Sequence, residues 1–317
     1  MSEFLRAPDT GVTRHTRSKL TYSRNRLMQM ALETMEIARS GKYVNKSGKT
    51  VEVSSALEKA MANSVHYHSS HCFPSSILVN TPQERKFDTK IIVVYGSSLC
   101  AASQLDGGNV GVLNSASGKN PGGGLFRGTV SQEDCLCRAS LLYPCIAQFQ
   151  GKKDHYYEIN RSAQYKYSSS SCAIFSPHVP VIRVDSVEGE LLDDFQEVSF
   201  LSIPAANAFT AGANRNDSPD PIPQLIATED ETLQGELKEA MSDRVFRILS
   251  IFAEHGCTEL VLSAFGCGVH GNDPVVVAKI FKNLFAEHFK GKFKHVIFAI
   301  QPSRFANYKA FSEVFNP

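Results

Sequence analysis

The sequence predicts an α/β protein built on a central, mostly parallel sheet. Three observations point to it. Short apolar runs bounded by turns recur from about residue 90 onward. Amphipathic stretches of helical length alternate with them. Two of the turns that follow apolar runs are glycine-rich and lead directly into helical pattern. Continuous apolar runs of this length suit strands covered on both faces. Strand–helix alternation over most of a chain calls for a parallel sheet flanked by helices.

The elements follow in chain order. Residues 1–20 carry no apolar period and are expected to be a disordered arm. "SRNRLMQMALETMEIARSG" places Leu27, Met30, Ala31, Met35 and Ile37 near a 3.6-residue period and stops at Gly41. "ALEKAMANSV" is a second helix. Their joint apolar stripe is too small to close on itself. Residues 21–80 are therefore expected to be a helical extension packed on a domain of residues 81–317. The strands of that domain are "KIIVVYG", "NVGVLNSA", "VPVIRV", "EVSFLSIPAA", "ELVLSAFGCG" and "HVIFAI". Its helices are "SQEDCLCRASLLY", "ELKEAMSDRVFRILSIFAEHG" and "DPVVVAKIFKNLFAEHF". Residues 168–171 and 211–224 are polar or proline-rich loops, and no internal repeat is present.

Composition narrows the function classes. The chain has 317 residues, 42% hydrophobic and 21% charged, as in ordinary globular proteins. A net charge of +1 provides no field for capturing a polyanion, so direct nucleic-acid binding is not indicated. No run approaches the roughly 20 apolar residues of a membrane span. The N-terminus lacks the apolar core of a signal peptide. It is Arg-rich and Ser/Thr-bearing, as a transit peptide would be, but Glu3 and Asp9 count against that. The cysteines at 72, 100, 135, 137, 145, 172, 257 and 267 form no CxxC pair and no zinc spacing. They read as reduced thiols, so a cytoplasmic or nuclear location is expected. His66, His68 and His71 suggest a metal set by composition, yet only Cys72 stands near as a further ligand. No metal and no cofactor are expected, and a monomer is the expected state.

Chemistry in open α/β sheets sits beyond the carboxyl ends of the strands. Two glycine loops fall there. The first follows Asn114 and contains Gly122, Gly123 and Gly124. The second is Gly266, Cys267, Gly268, Val269, His270 and Gly271, with Asn272-Asp273-Pro274 opening a helix. Glycine lets backbone N–H groups approach an anion, and a following helix N-terminus adds donors. Two such cradles at one sheet edge suit a diphosphate with its flanking sugars. Neither is a Walker A loop. "GCGVHG" has the letters of a dinucleotide fingerprint but not its βαβ context. The triplet Gln132-Glu133-Asp134 has two readings. Ser131 and Asp134 fit a capping box. A carboxylate beside a bound sugar diphosphate could also protonate a leaving oxygen and activate water. The tyrosines of residues 151–176 either line a pocket or pack. Cys267 reads as a small buried residue and not a nucleophile. Phe298 and Phe305 are both open as a platform for a base.

"VLNSASGKNPGGGLFRGTVSQEDCLCRASLLYP" resembles the signature of the bacterial-type poly(ADP-ribose) glycohydrolases, in which GGG, a short spacer and Gln-Glu-Glu follow one another. "LVLSAFGCGVHGNDPVVVAKIF" resembles that family's second loop, and "RNRLMQMALETMEIARSGKY" its helical extension. The resemblance implies a macrodomain, a three-layer α/β/α sandwich with an N-terminal helical addition. It implies an ADP-ribosylated macromolecule as the ligand. Gly122, Gly123 and Gly124 would wrap the diphosphate and distal ribose, with Gln132 beside them. Asn114 would bond a ribose hydroxyl. Gly266, Cys267, Gly268, Val269, His270 and Gly271 would cradle the diphosphate. Asp134 would be the general acid/base and Glu133 would hold the ribose. Three positions depart from the pattern. Asp134 replaces a glutamate, His270 replaces a phenylalanine, and Ser97 and Ser98 stand near a position where relatives carry an aspartate for adenine. The implied activity is ADP-ribose glycohydrolysis. The alternatives are an ADP-ribose reader with weak or no hydrolysis, and action on another ADP-ribose compound.

Overall fold

Alternate residues of the central strands enter opposite cores on the two faces of one seven-stranded sheet. On β5 (Val110–Ser115), Val110 and Val112 enter one core and Leu113 the other. On β9 (His295–Ile300), Ile297 and Ala299 face the first core, and Val296, Phe298 and Ile300 the second. This computed structural model describes residues 23–79, 82–105, 108–162, 169–186, 188–208 and 231–316. The arm expected at 1–20 and the loop expected at 211–224 lie outside the described residues.

Five strands run parallel. They are β4 (Lys90–Tyr95), β5, β7 (Leu191–Ile203), β8 (Glu259–Leu262) and β9. Two more, β3 (Val65–Tyr67) and β6 (Ala173–Arg183), pair antiparallel on one side. The order is β3-β6-β7-β5-β8-β9-β4. In the extension, β1 (Lys42–Val44) and β2 (Thr50–Glu52) form a separate antiparallel hairpin.

One face is covered by α1 (Arg24–Ser40), α2 (Ser54–Ala62), α3 (Ser98–Ala102), α4 (Gln132–Ala139), α5 (Leu142–Ala147) and α6 (Tyr156–Ser162). The other is covered by α7 (Glu231–Glu254), α8 (Pro274–Glu287) and α9 (Phe305–Phe315). The three-layer α/β/α sandwich is thus present. α1 packs against α4, with the Thr34 hydroxyl donating to the Arg138 carbonyl at 2.7 Å, while β3, from the stretch expected to be a helical extension, is an edge strand of the sheet itself.

Two local expectations are corrected. "SQEDCLCRASLLY" is two helices. Ser140 is extended between them, bridges Val181, and is followed by Leu141 N–H donating to the Pro180 carbonyl at 2.8 Å. Pairing with β6 therefore overrides helical periodicity. "VPVIRV" is the second half of an 11-residue strand that runs antiparallel to β7. Among the histidines, His66 stacks on His155 with ring centroids 5.2 Å apart. Among the described residues no group of three His, Cys, Asp or Glu is placed to hold a metal ion.

Gly111 shows how tightly α7 lies on the sheet. A Cβ there would meet the buried Phe252 ring at 2.6 Å. Gly111→Ala is expected to cost about 2 kcal/mol by overpacking, read from the denaturant midpoint at unchanged slope.

Candidate active site

The parallel strands place both glycine loops at one edge. β5 ends at Asn114 and Ser115, and the chain then returns through residues 116–131 into α4. Asn114 is fully buried. Its Nδ2 donates to Ser202 Oγ at 3.0 Å, and its Oδ1 has no partner. The start of α4 is a complete capping box. Ser131 Oγ accepts from Asp134 N, and the Asp134 carboxylate accepts from Ser131 N.

The triplet divides into three tasks. Gln132 clamps secondary structure. Its Nε2 donates to Ser98 Oγ (2.8 Å) and the Leu113 carbonyl (3.0 Å), and its Oε1 accepts from Ser115 N (3.0 Å). The end of β5 and the start of α3 are thereby joined to α4. Asp134 has both oxygens occupied. Oδ1 accepts from Gly124 N at 2.8 Å, and Oδ2 accepts from Ser131 N at 2.8 Å and Thr129 Oγ1 at 2.5 Å. Glu133 is 2% exposed. Its Oε2 accepts from Ser117 N at 2.8 Å and its Oε1 from Gly122 N at 3.2 Å, with the Asn114 amide beside it. Burial pushes its carboxyl up to about 8. The Asp134 charge adds to that, and the Ser117 and Gly122 N–H groups oppose it.

The glycines of the first loop serve these carboxylates. Gly122 and Gly123 have φ of 68° and 57°, where a side chain is strained. All three N–H groups turn inward, Gly122 to Glu133, Gly123 to the Asn120 carbonyl, and Gly124 to Asp134. A Cβ on Gly123 would stand 3.1 Å from both Asp134 Oδ1 and Glu133 Oε2. Residue 123 therefore has to be bare for the chain to pass over the carboxylate pair. The three N–H groups of this loop are thus partnered within the protein.

That second loop is pinned at its base. Asn272 Nδ2 donates to the carbonyls of Ala206 (2.8 Å) and Gly266 (2.9 Å), Ala208 N donates to the His270 carbonyl (2.9 Å), and Gly271 N to the Gly268 carbonyl (3.1 Å). Its tip is open. Val269 is 80% exposed, and the N–H groups of Gly268 and Val269 have no partner among the described residues. Asp273 caps α8 through Val275 N and Val276 N. Cys267 donates from Sγ to the Phe265 carbonyl at 3.5 Å, and burial pushes its thiol up, the opposite of an activated nucleophile.

Of the two phenylalanines, Phe298 is fully buried among Phe281, Phe311 and Phe315. Phe305 opens α9 and is 64% exposed. Tyr156 and Tyr157 are fully buried and line no open pocket. Sequence reasoning overlooked Ser117 and Thr129, the small residues whose N–H and hydroxyl hold the two carboxylates. Nothing in their spacing marks them.

The chain has known relatives. Residues 31–184, which include the first loop and α4, match the family model "Microbial-type PARG, catalytic domain", PARG being poly(ADP-ribose) glycohydrolase. The solved poly(ADP-ribose) glycohydrolase of Thermomonospora curvata is 30% identical, with a TM-score of 0.76 over 92% of this chain and 100% of that one. The same enzyme bound to the inhibitor ADP-HPD is 29% identical, with a TM-score of 0.74 over 91% and 99%. The Deinococcus radiodurans enzyme in complex with ADP-ribose is 28% identical, with a TM-score of 0.66 over 82% and 97%. No curated protein matches. Identity at this level over the whole of a solved enzyme of the same overall fold makes the chain a member of the microbial-type poly(ADP-ribose) glycohydrolase family.

Proposed function

We propose that the chain hydrolyses the O-glycosidic ribose bond of poly- or mono-ADP-ribosylated substrates, with Glu133 as proton donor. One observation carries the assignment to Glu133. It is a buried carboxyl, held by two backbone N–H groups beneath Gly123 and beside Asn114, whose pKa of about 8 keeps it protonated at neutral pH. Family membership supports the reaction.

The steps follow from these groups. The N–H groups of Gly268 and Val269 receive the diphosphate, with the α8 N-terminus behind them. The free Oδ1 of Asn114 accepts a distal ribose hydroxyl. Phe305 stacks on the base. Glu133 gives its proton to the leaving oxygen as the C1″–O bond breaks and positive charge spreads over the ring oxygen and C1″. The resulting carboxylate takes a proton from the water that attacks C1″. The products are ADP-ribose and the free acceptor hydroxyl, and Glu133 is again protonated. Asp134, whose oxygens already hold three donors, keeps Gly124 and the loop in register.

The saturation of Asp134 favours a second reading, a module that binds ADP-ribose without cleaving it. One experiment separates the two. The protein is incubated with poly- and mono-ADP-ribosylated protein, and released ADP-ribose is measured beside a calorimetric titration with ADP-ribose. Hydrolysis predicts multiple turnovers of release. Binding without release, at enzyme equal to substrate, leaves the reader.

A further inference from the structure

We propose that α6 is a positioning element for the proton donor: Tyr156, with Asn160, fixes the Ser117–Gly118 loop whose N–H holds the Glu133 carboxyl. The inference rests on the assignment of Glu133 as donor.

A chain of short contacts leads from α6 to the carboxyl. Tyr156 is fully buried, and a phenol so placed needs a partner. Its Oη donates to the Ser117 carbonyl at 3.3 Å. The N–H of the same Ser117 donates to Glu133 Oε2 at 2.8 Å. One residue thus hangs between a tyrosine and the acid. Its neighbour is held by packing: a Cβ on Gly118 would stand 3.3 Å from Asn160 Cγ, so the Asn160 amide lies against a bare backbone. Asn160 is itself locked, with Nδ2 donating to the Tyr156 carbonyl and Oδ1 accepting from Ser170 N, both at 2.8 Å. The Ser117 hydroxyl turns the other way, accepting from Lys119 N and Asn120 N.

Tyr157 provides the contrast. It is equally buried and meets Tyr156 edge-on at 4.8 Å, but its Oη has no partner. One tyrosine of the pair carries a hydrogen bond to the acid's anchor, and the other fills space. The remaining groups facing Glu133 are Asp134 and Cys137 from α4, Asn114 from β5 and Tyr157 from α6, whose ring is near the carboxyl but bonds neither it nor Ser117.

Loosening Ser117 has a defined signature. The Ser117 N–H favours the ionised form of Glu133, so weakening it moves the carboxyl further up and misplaces it. In the full chain, Tyr156→Phe is expected to lower kcat about tenfold. KM and the Kd for ADP-ribose should stay within about twofold, and the basic limb of the pH–rate profile should move to higher pH. Tyr157→Phe should leave all of these unchanged. A Tyr156→Phe protein with lower thermal stability but unchanged kcat and limb would overturn the proposal. If that variant does not fold, Gly118→Ala, which presses the loop off Asn160, must give the same pair of changes, and their absence overturns it too. If the wild type releases no ADP-ribose, the catalytic reading has failed by itself. The pH dependence of thermal unfolding then decides: an upward move of the Glu133 titration in Tyr156→Phe upholds the positioning role, and no move refutes it.

Discussion

Glu133→Gln is expected to lower the rate of ADP-ribose release by about 10²–10⁴-fold while leaving ADP-ribose affinity within a few fold. The size follows from losing the proton that the leaving oxygen needs. Affinity is spared because the proposed diphosphate contacts are those of the second loop. Glutamine keeps one acceptor oxygen, so the 2.8 Å bond from Ser117 N survives more readily than the 3.2 Å bond from Gly122 N. The wild-type rate should fall as pH rises through about 8, where Glu133 loses its proton. An acid of ordinary carboxylate strength would put that limb near pH 4–5. Stability carries the same sign. The folded pKa is raised, so between the ordinary carboxylate range and about 8 the unfolded chain ionises first and stability declines with pH. Glu133→Gln should flatten that decline. Single-turnover release, calorimetry and thermal unfolding across pH check each part. A variant that keeps the wild-type rate would remove Glu133 from the chemistry.

The fold was legible in the sequence because its signals are periodic. Five of the six apolar runs are the parallel strands, the sixth lies in antiparallel β6, and the helices between them give both layers, with the two glycine loops at the carboxyl edge of the sheet. β3 and the β1–β2 hairpin were missed because three residues are too few to show a period. The break at Ser140 was missed because β6, distant in sequence, makes it. The site shows the same limit. Residue types located the carboxylates and glycines, and the capping box was readable from Ser131 and Asp134. Which carboxylate is saturated depends on where Thr129, Gly124 and Ser117 aim their donors, and spacing does not encode that. Likewise "DHYYEI" contains two adjacent tyrosines that only the fold distinguishes.

Asp134→Ala should be the most destabilising change at the site, at about 3–4 kcal/mol, because it leaves three donors without an acceptor. Gly124 N and Ser131 N each stand 2.8 Å from the carboxylate and Thr129 Oγ1 2.5 Å, and the carboxylate and Gly124 are buried. An unmade bond to a buried donor costs about 1–3 kcal/mol, and loss of a helix cap about 1. Thermal unfolding measures the total. Asp134→Glu then separates the cap from the chemistry. A glutamate at the third helical position can still complete the capping box, but it overshoots Gly124 N, which the shorter aspartate meets. With Glu133 as the proposed acid, the expected outcome is a loss of about 1–2 kcal/mol with no gain in kcat. A rise in kcat with glutamate would mean that reach toward the substrate limits the native chain. Asp134 would then be the donor that the family resemblance implies, and Glu133 would hold the ribose. The two assignments therefore predict opposite signs for one substitution, measured in one release assay.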